Sequence, residues 1–267
     1  MDNRPIGVFD SGLGGLTVVH ELQRLLPQES IVYFGDTGRV PYGSRSPQII
    51  KRYAAEDCRL LLEHNVKCIV AACGTVSSVA GDVLNGLSVP AMGVVTPTVK
   101  AAVDATRNGR VGVIGTSVTV RSGSFEAGIK ALSADTQVFA QACPILVTLV
   151  ESGWLDHTAT EAVLRQYLQP LIECDVDTLI LGCTHFPLLT PLISRVMGDG
   201  VTLINAGKET AAACAEMLQQ RDMLAQEGGG CRFLVSDRPE GFTAVAEMFL
   251  GRQVSEDIER VNVEGLA

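Results

Sequence analysis

Two matching stretches decide the fold: Cys68-Ile69-Val70-Ala71-Ala72-Cys73-Gly74-Thr75 and Thr178-Leu179-Ile180-Leu181-Gly182-Cys183-Thr184-His185. Each begins with an apolar run that is typical of a strand covered on both faces, and each places a cysteine just beyond that run. A second pair precedes them in the same order and at nearly the same spacing, Ile6-Gly7-Val8-Phe9-Asp10-Ser11-Gly12 and Val111-Gly112-Val113-Ile114-Gly115-Thr116-Ser117. The repeat predicts two similar α/β units, with Cys73 and Cys183 at equivalent positions.

Around these stretches, short apolar runs alternate with longer amphipathic segments. We predict strands over residues 5–9, 30–34, 67–71, 111–114, 137–140, 178–181, 201–204 and 231–235, and helices over residues 16–26, 47–64, 75–84, 97–106, 122–132, 158–172, 187–196 and 209–224. Ser46-Pro47 and Thr96-Pro97 each fit an N-cap followed by proline, so each predicts a helix start. This alternation predicts parallel sheets with right-handed crossovers, in which ligands bind outside the carboxyl ends of the strands.

The predicted fold class is α/β, with two similar parallel-sheet domains related by a pseudo-two-fold axis and the active site in the cleft between them. We expect residues 1–96 plus 207–267 to form the first domain, and residues 97–206 to form the second. Each domain then carries one of the matched cysteines. If the domains face each other, Cys73 and Cys183 approach a bound molecule from opposite sides.

Composition and charge limit the classes of function that the protein can have. The chain has 267 residues, enough to bury large cores, and its formal charge of −9 with a pI near 5.0 argues against nucleic acid as the primary ligand. No apolar run reaches the length of a membrane span and no signal-peptide pattern is present, so we expect a cytoplasmic protein without membrane contact. Because Asp10 lies close to the first residue, we expect no regulatory N-terminal extension. The eight cysteines form no Cys-x-x-Cys pair, which favours reduced thiols.

Cys73 and Cys183 are the residues best placed to carry chemistry. Each follows a strand and precedes an apolar helical pattern, so we expect each at a helix N-terminus, where the dipole lowers the pKa of a thiol. Asp10, after the first strand, and His185, just beyond Cys183, are the candidates to assist them. Three alternatives stay open at this point: buried structural cysteines, a zinc site made of Cys73, Cys183 and His185, and a Cys-His hydrolase that leaves Cys73 without a role.

Two loops at strand ends complete the candidate site. Asp10-Ser11-Gly12-Leu13-Gly14-Gly15-Leu16-Thr17 resembles a phosphate cradle but matches neither the P-loop nor the dinucleotide pattern, and Asp10 would repel a phosphate. A ligand that carries an ammonium or carboxylate group fits this loop better. The stretch 36–46 follows the second strand and is rich in turn residues, which predicts a loop at the same edge of the sheet.

Several ordered motifs together resemble one known family. They are Phe9-Asp10-Ser11-Gly12-Leu13-Gly14-Gly15-Leu16-Thr17-Val18, the stretch 36–46 with its Pro41-Tyr42-Gly43 centre, Gly112-Val113-Ile114-Gly115-Thr116, Ala142-Cys143-Pro144 through Val150-Glu151, and Leu181-Gly182-Cys183-Thr184-His185-Phe186-Pro187-Leu188-Leu189. On these motifs, which span nearly the whole chain, the sequence resembles the cofactor-independent aspartate/glutamate racemase superfamily, and within it the glutamate racemases.

The resemblance implies a site and an activity. Cys73 and Cys183 would be the catalytic thiols, Asp10 and His185 their assisting acid/base groups, and Glu151 a further carboxylate of the site. The implied substrate-binding residues are Ser11, Asp36, Pro41, Tyr42, Gly43, Gly74, Thr75, Thr116, Thr119 and Thr184. The implied activity is interconversion of L- and D-glutamate without a cofactor or metal, supplying D-glutamate for peptidoglycan, in a homodimer whose ligand is an acidic amino acid.

Three departures from the family pattern concern polar groups rather than thiols. Gly74 stands where the family usually has asparagine, Asn205-Ala206 replaces its Asp-Ser, and Phe186 replaces its tyrosine. A missing buried hydrogen-bond partner costs about 1–3 kcal/mol, so we expect weaker substrate binding. We also expect a space beside Gly74 that water can fill. Restoring the amide by Gly74→Asn should then lower the KM. The alternatives are a racemase of aspartate or a related amino acid, and a catalytically weak binding or regulatory relative.

Overall fold

The computed structural model describes residues 1–238, 241–254 and 258–263. Its strands are β1 (Ile6–Asp10), β2 (Ile31–Gly35), β3 (Cys68–Ala71), β4 (Ala91–Gly93), β5 (Arg110–Gly115), β6 (Gln137–Ala142), β7 (Thr178–Leu181), β8 (Thr202–Asn205), β9 (Cys231–Val235) and β10 (Ile258–Arg260). Its helices are α1 (Leu16–Leu25), α2 (Pro47–Glu63), α3 (Gly74–Val79), α4 (Gly81–Asn85), α5 (Val95–Ala105), α6 (Ser117–Ser122), α7 (Ser124–Leu132), α8 (Pro144–Glu151), α9 (Thr158–Glu173), α10 (Thr190–Met197), α11 (Ala206–Gln220) and α12 (Phe242–Leu250). Short 3₁₀ turns cover Tyr42–Ser44 and Phe186–Leu189.

The strands form two sheets whose neighbouring strands are all parallel. The first has the order β10-β9-β2-β1-β3-β4 and the second the order β6-β5-β7-β8. The matched stretches lie side by side in both sheets, since Ile6 pairs with Cys68 in the first and Val111 with Thr178 in the second. The prediction of two similar parallel-sheet α/β domains is therefore confirmed.

The strands that lead into the site are buried along their whole length. Every residue of β1, β3 and β7 is buried, as expected of strands with helices on both faces. Helix α2 begins where Ser46-Pro47 predicts it, because the Ser46 side chain accepts a hydrogen bond from the Ile49 N–H. The carboxyl ends of these strands are consequently held in rigid positions.

Several element boundaries differ from the sequence-based predictions. Helix α5 begins at Val95, so Thr96 lies inside its first turn and the predicted start at Thr96-Pro97 is wrong. Helix α11 begins at Ala206 rather than near residue 209, because the Asn205 side chain accepts from the N–H groups of Gly207 and Lys208 and so caps it. The predicted helix over 75–84 is broken into α3 and α4 at Ala80.

The chain crosses between the sheets twice, at α5 and at α11. The strands up to Gly93 and from Cys231 onwards belong to the first sheet, and β5 to β8 form the second. The predicted boundaries at 96/97 and 206/207 fall in the first turns of these two helices, and the division of the chain at those residues remains a prediction. No helix within the described residues is long and apolar enough to cross a membrane.

Candidate active site between the two domains

The carboxyl ends of the central strands of both sheets meet at the interface between the two domains, which is called the seam below. Contacts across it join Thr75 to Thr116, whose hydroxyl oxygens lie 3.0 Å apart, and the Thr17 hydroxyl to the Thr184 carbonyl, which accepts its hydrogen bond at 3.0 Å. Because Cys73 and Cys183 lie just beyond β3 and β7, the seam brings both thiols to the same cleft. Both are buried, with 4% and 6% of their surface exposed.

Cys73 lies in a carboxylate-rich environment on the first domain. It occupies the N-cap position of α3, and its sulfur donates to Ser11 Oγ at 3.4 Å. Burial and, after it, the negative charge of Asp10 raise the pKa of the Cys73 thiol to about 12, although hydrogen bonds from Ser11 and Val76 act in the opposite direction. The expectation that a helix N-terminus lowers this pKa is wrong, because α3 has only six residues and burial outweighs its field.

Cys183 lies beside an acid/base pair on the second domain. Its sulfur is 3.8 Å from Nδ1 of His185, and Nε2 of the same ring is 2.9 Å from Glu151 Oε1. Burial on its own lowers the pKa of His185, but the hydrogen bonds to Cys183 and Glu151 together raise it to about 10. The imidazole therefore carries its second proton at neutral pH and presents it to the sulfur.

The His185 ring has a further contact that the sequence did not reveal. Phe249, on α12, meets the ring edge-on with centroids 5.1 Å apart and an interplanar angle of 86°. Since α12 packs on the first domain through α1, a residue of one domain orients the imidazole of the other. Nothing in the motif pattern marks Phe249, and the helix that carries it was not predicted.

Asp10 has one oxygen bound and one free. Its Oδ2 accepts the Gly15 N–H at 2.8 Å, whereas Oδ1 is buried with no hydrogen-bond partner among the described residues. A buried carboxylate oxygen without a partner is costly, which indicates that a ligand donor completes this site. The loop that follows Asp10 is fixed by the Tyr33 hydroxyl, which donates a hydrogen bond to the Gly12 carbonyl at 2.7 Å.

Hydroxyl groups line the seam between the thiols. Thr116 Oγ1 lies 3.0 Å from the hydroxyls of both Thr75 and Thr119, and Thr184 Oγ1 lies 3.5 Å from His185 Nδ1. Hydroxyl groups both donate and accept, so this row suits the carboxylates of an amino acid. Gly43 reaches the same row, because a Cβ at that position would lie 3.0 Å from the Thr116 Cβ.

Asp36 and Tyr42 lie in a buried network next to the seam. Asp36 Oδ2 accepts from Arg39 Nε at 2.6 Å and from the Tyr42 hydroxyl, and Oδ1 accepts from Ser236 Oγ at 2.7 Å. Both carboxylate oxygens are thus occupied, and the network holds the loop that contains Pro41 and Gly43. Direct substrate contact by the Asp36, Pro41 and Tyr42 groups remains a prediction.

The surroundings of Gly74 overturn one expectation. A Cβ built on Gly74 would lie 2.2 Å from the carbonyl oxygen of Gly182, in the other domain. The backbone of the second domain occupies the position that a side chain at residue 74 would take. The expected water-filled space beside Gly74 is therefore absent at that position. The same contact argues against the expected lower KM of Gly74→Asn, which stays a prediction.

The zinc alternative finds no set of ligands in the part of the chain that the structure describes. No group of three or more His, Cys, Asp and Glu side chains there has an arrangement that could hold a metal ion. Cys73 lies with Ser11 and Asp10, whereas Cys183 lies with His185, so the three residues of the zinc hypothesis do not form one cluster.

A cleft between two domains with a thiol on each side is the arrangement of an acid/base isomerase. The chain belongs to the Asp/Glu/hydantoin racemase family, whose sequence model matches residues 6–217. It is 44% identical to a glutamate racemase of Geobacter metallireducens over 264 residues, which is 98% of this chain and 97% of the relative.

Solved structures agree over the same length. A glutamate racemase of Bacillus anthracis superimposes with a TM-score of 0.94 at 38% identity and covers 98% of both chains. A glutamate racemase of Francisella tularensis, solved in complex with D-glutamate, gives a TM-score of 0.92 at 34% identity and covers 99% of both chains.

Proposed function

We propose that this protein interconverts L- and D-glutamate by proton transfer between two thiols. The observation that carries the proposal is the approach of Cys73 and Cys183 to one cleft from opposite domains. Inversion at Cα requires one group to remove the proton from one face and another to supply a proton to the opposite face. A single base tends to return the proton to the face from which it came.

The two thiols lie beside groups of opposite charge. With a pKa of about 12, Cys73 carries its proton at neutral pH and is ready to act as the acid. Nδ1 of the His185 imidazolium lies 3.8 Å from the Cys183 sulfur and is placed to exchange a proton with it. In the direction of reaction in which Cys73 supplies the proton, Cys183 acts as the base, and one turnover leaves the protons exchanged, ready for the reverse direction.

The remaining groups of the cleft hold the substrate and its developing charge. The unpaired Oδ1 of Asp10 accepts a hydrogen bond from the substrate ammonium, and the threonine hydroxyls of the seam bind its carboxylates. General acid–base catalysis by one positioned group contributes typically 10²–10⁴-fold, so electrostatic stabilisation of the carbanion must supply much of the rest. Backbone N–H groups of the glycine-rich strand ends are suited to that task.

The relatives support the identity of the substrate, because glutamate racemases of similar length point to glutamate as the acidic amino acid. We propose that the D-glutamate is used for peptidoglycan, as the family resemblance implies. We further propose that the reaction needs no cofactor, that the protein works in the cytoplasm and that it forms a homodimer. The first domain, on this proposal, is 1–96 plus 207–267, and the second is 97–206.

The test is a circular-dichroism assay on purified protein, with no added cofactor and with a chelator present. L- and D-glutamate, L- and D-aspartate and other acidic amino acids are offered in parallel, and the Cys73→Ser/Cys183→Ser double variant is the blank. We expect rapid decay of the signal with either enantiomer of glutamate and much slower decay with aspartate. Faster decay with aspartate would change the substrate, and no decay with any amino acid would overturn the proposal.

A further inference from the structure

Glycines of the first domain line the seam, and one of them differs from the others in what it touches. A Cβ added to Gly14 would lie 2.3 Å from Thr184 Oγ1, and one added to Gly43 would lie 3.0 Å from the Thr116 Cβ. A Cβ on Gly14 would also lie 2.5 Å from Nδ1 of His185, and all of these neighbours are side-chain atoms. At Gly74 the neighbour is the carbonyl oxygen of Gly182, at 2.2 Å, so the backbones of the two domains are in direct contact there.

Gly182 is held against its own domain. Its N–H donates to the Ile114 carbonyl at 2.8 Å, which ties it to β5, and a Cβ on Gly182 itself would lie 2.8 Å from the same carbonyl and 3.2 Å from the Phe125 ring. Packed interiors are close to crystalline in density and transmit displacement rather than absorb it. A Cβ at position 74 therefore requires one of the two backbones to shift.

The position of this contact links it to the chemistry. Gly74 follows Cys73 directly and Gly182 precedes Cys183 directly, so the contact joins the two peptides that carry the thiols. A separation of 2.2 Å has to lengthen by about 1 Å before a methyl group fits against a carbonyl oxygen. The spacing between the two sulfur atoms would grow with it.

We propose that Gly74 is a positioning residue that sets the closed spacing between Cys73 and Cys183. Its missing side chain is then a requirement of this cleft, and the amide that the family usually carries there has no place in it. The proposal rests on the two-thiol racemisation proposed above, and it adds the reason why proton transfer across this particular cleft depends on a glycine.

The test compares Gly74→Ala with Gly81→Ala. Both glycines begin a short helix with backbone angles that alanine adopts, but a Cβ on Gly81 meets nothing within 4 Å. Misplacing a reacting group by about 1 Å costs on the order of 10²-fold in rate. We expect Gly74→Ala to lower kcat about 100-fold, equally for L- and D-glutamate, with a much smaller change in KM, and Gly74→Asn to lower it further. Gly81→Ala should match the unmodified protein.

Two outcomes would overturn the proposal while leaving racemisation intact. One is a Gly74→Ala variant that turns over both enantiomers as fast as the unmodified protein. The other is a crystal structure of the unmodified protein with glutamate bound in which a Cβ built on Gly74 clears the Gly182 oxygen by more than 3.4 Å. The second measurement does not depend on whether the variant folds. Absence of racemisation in the unmodified protein would instead overturn the proposed function.

Discussion

The ends of β3 and β7 match in position but differ in the backbone that follows and in nearby charge. Cys73 caps the α-helix α3, whereas Cys183 precedes the 3₁₀ turn Phe186–Leu189, so the expectation of a helix N-terminus at each thiol is wrong for Cys183. Both place a cysteine just beyond a fully buried strand, at the same seam. Around Cys73 the nearby charge is the Asp10 carboxylate, whereas Cys183 faces His185, which has a pKa of about 10 and is supported by Glu151. The comparison shows that a repeated fold can supply two equivalent positions while local side chains give each position its own charge environment.

The largest effect is expected when either thiol is removed. Cys73→Ser and Cys183→Ser should each abolish racemisation, because a hydroxyl is a far poorer acid and base than a thiol at neutral pH and one acid/base group is worth about 10²–10⁴-fold. Exchange of the Cα proton in heavy water, followed by NMR, should survive for one enantiomer only, and the surviving enantiomer should reverse between the two variants.

A matched control separates this from general damage to the fold. Cys174 ends α9 away from the cleft and is partly exposed, so Cys174→Ser should racemise normally. Equal loss of exchange for both enantiomers in each thiol variant would point to one shared catalytic group and contradict the division of labour between the two sides.

A smaller effect is expected when the charge beside Cys73 is removed. In Asp10→Asn the Cys73 pKa should fall below about 12, because the carboxylate charge that raises it is gone while burial remains. Racemisation should fall about 10²-fold with the loss of the carboxylate that faces the substrate ammonium. The pKa is measured from the pH dependence of Cys73 alkylation by mass spectrometry.

The control for that variant is Asp82→Asn, which alters an exposed carboxylate paired with Lys51. It should leave both the alkylation profile and the rate unchanged. If Asp10→Asn left Cys73 as unreactive as before, the contrast between the two thiols would rest on burial alone.

The smallest effect is expected at Glu151. Since the folded-state pKa of His185 is raised, its contribution to stability is complete below the ordinary histidine value of about 6.5 and is lost as the pH rises towards 10. Glu151→Gln removes one cause of the raised His185 pKa, so the alkaline limb of kcat should move to lower pH. We expect a shift of about one pH unit only, because Glu151 is half-exposed and solvent screens its charge.

Measurements of kcat and thermal stability from pH 6 to 11 test this, with Glu161→Gln as the control. Glu161 forms ion pairs with Arg165 and Arg195 on the surface of the same domain. An alkaline limb that stays in place in Glu151→Gln would show that another group titrates there.

Strong apolar runs made most of the architecture predictable. The strands from β1 to β3 and from β5 to β9 were each predicted within a few residues. Most of them are buried, and buried parallel strands are continuously hydrophobic, whereas β6 and β8 are more exposed. The edge strands β4 and β10 were missed, since three residues with partial exposure carry no periodic signal. Helices α6, α8 and α12 were also missed, and they depend on tertiary packing more than on local pattern.

The site was predictable only as far as motifs mark it. The two thiols, Asp10 and His185 follow strand ends, and strand ends converge in this fold class. The burial that raises the Cys73 pKa and the close approach of Gly74 to Gly182 depend on how the domains meet. No sequence pattern encodes a distance between two segments more than a hundred residues apart.

The late return of the chain to the first sheet has a consequence for biosynthesis. The strands of the second sheet emerge from the ribosome as one uninterrupted segment, whereas β2 receives its neighbour β9 only after that segment is complete. Domains generally fold as units during synthesis, so the second domain can mature while the first still has an open edge. The contact of His185 with Phe249 forms only after α12 has been synthesised, later than the contact of His185 with Glu151 within the second domain.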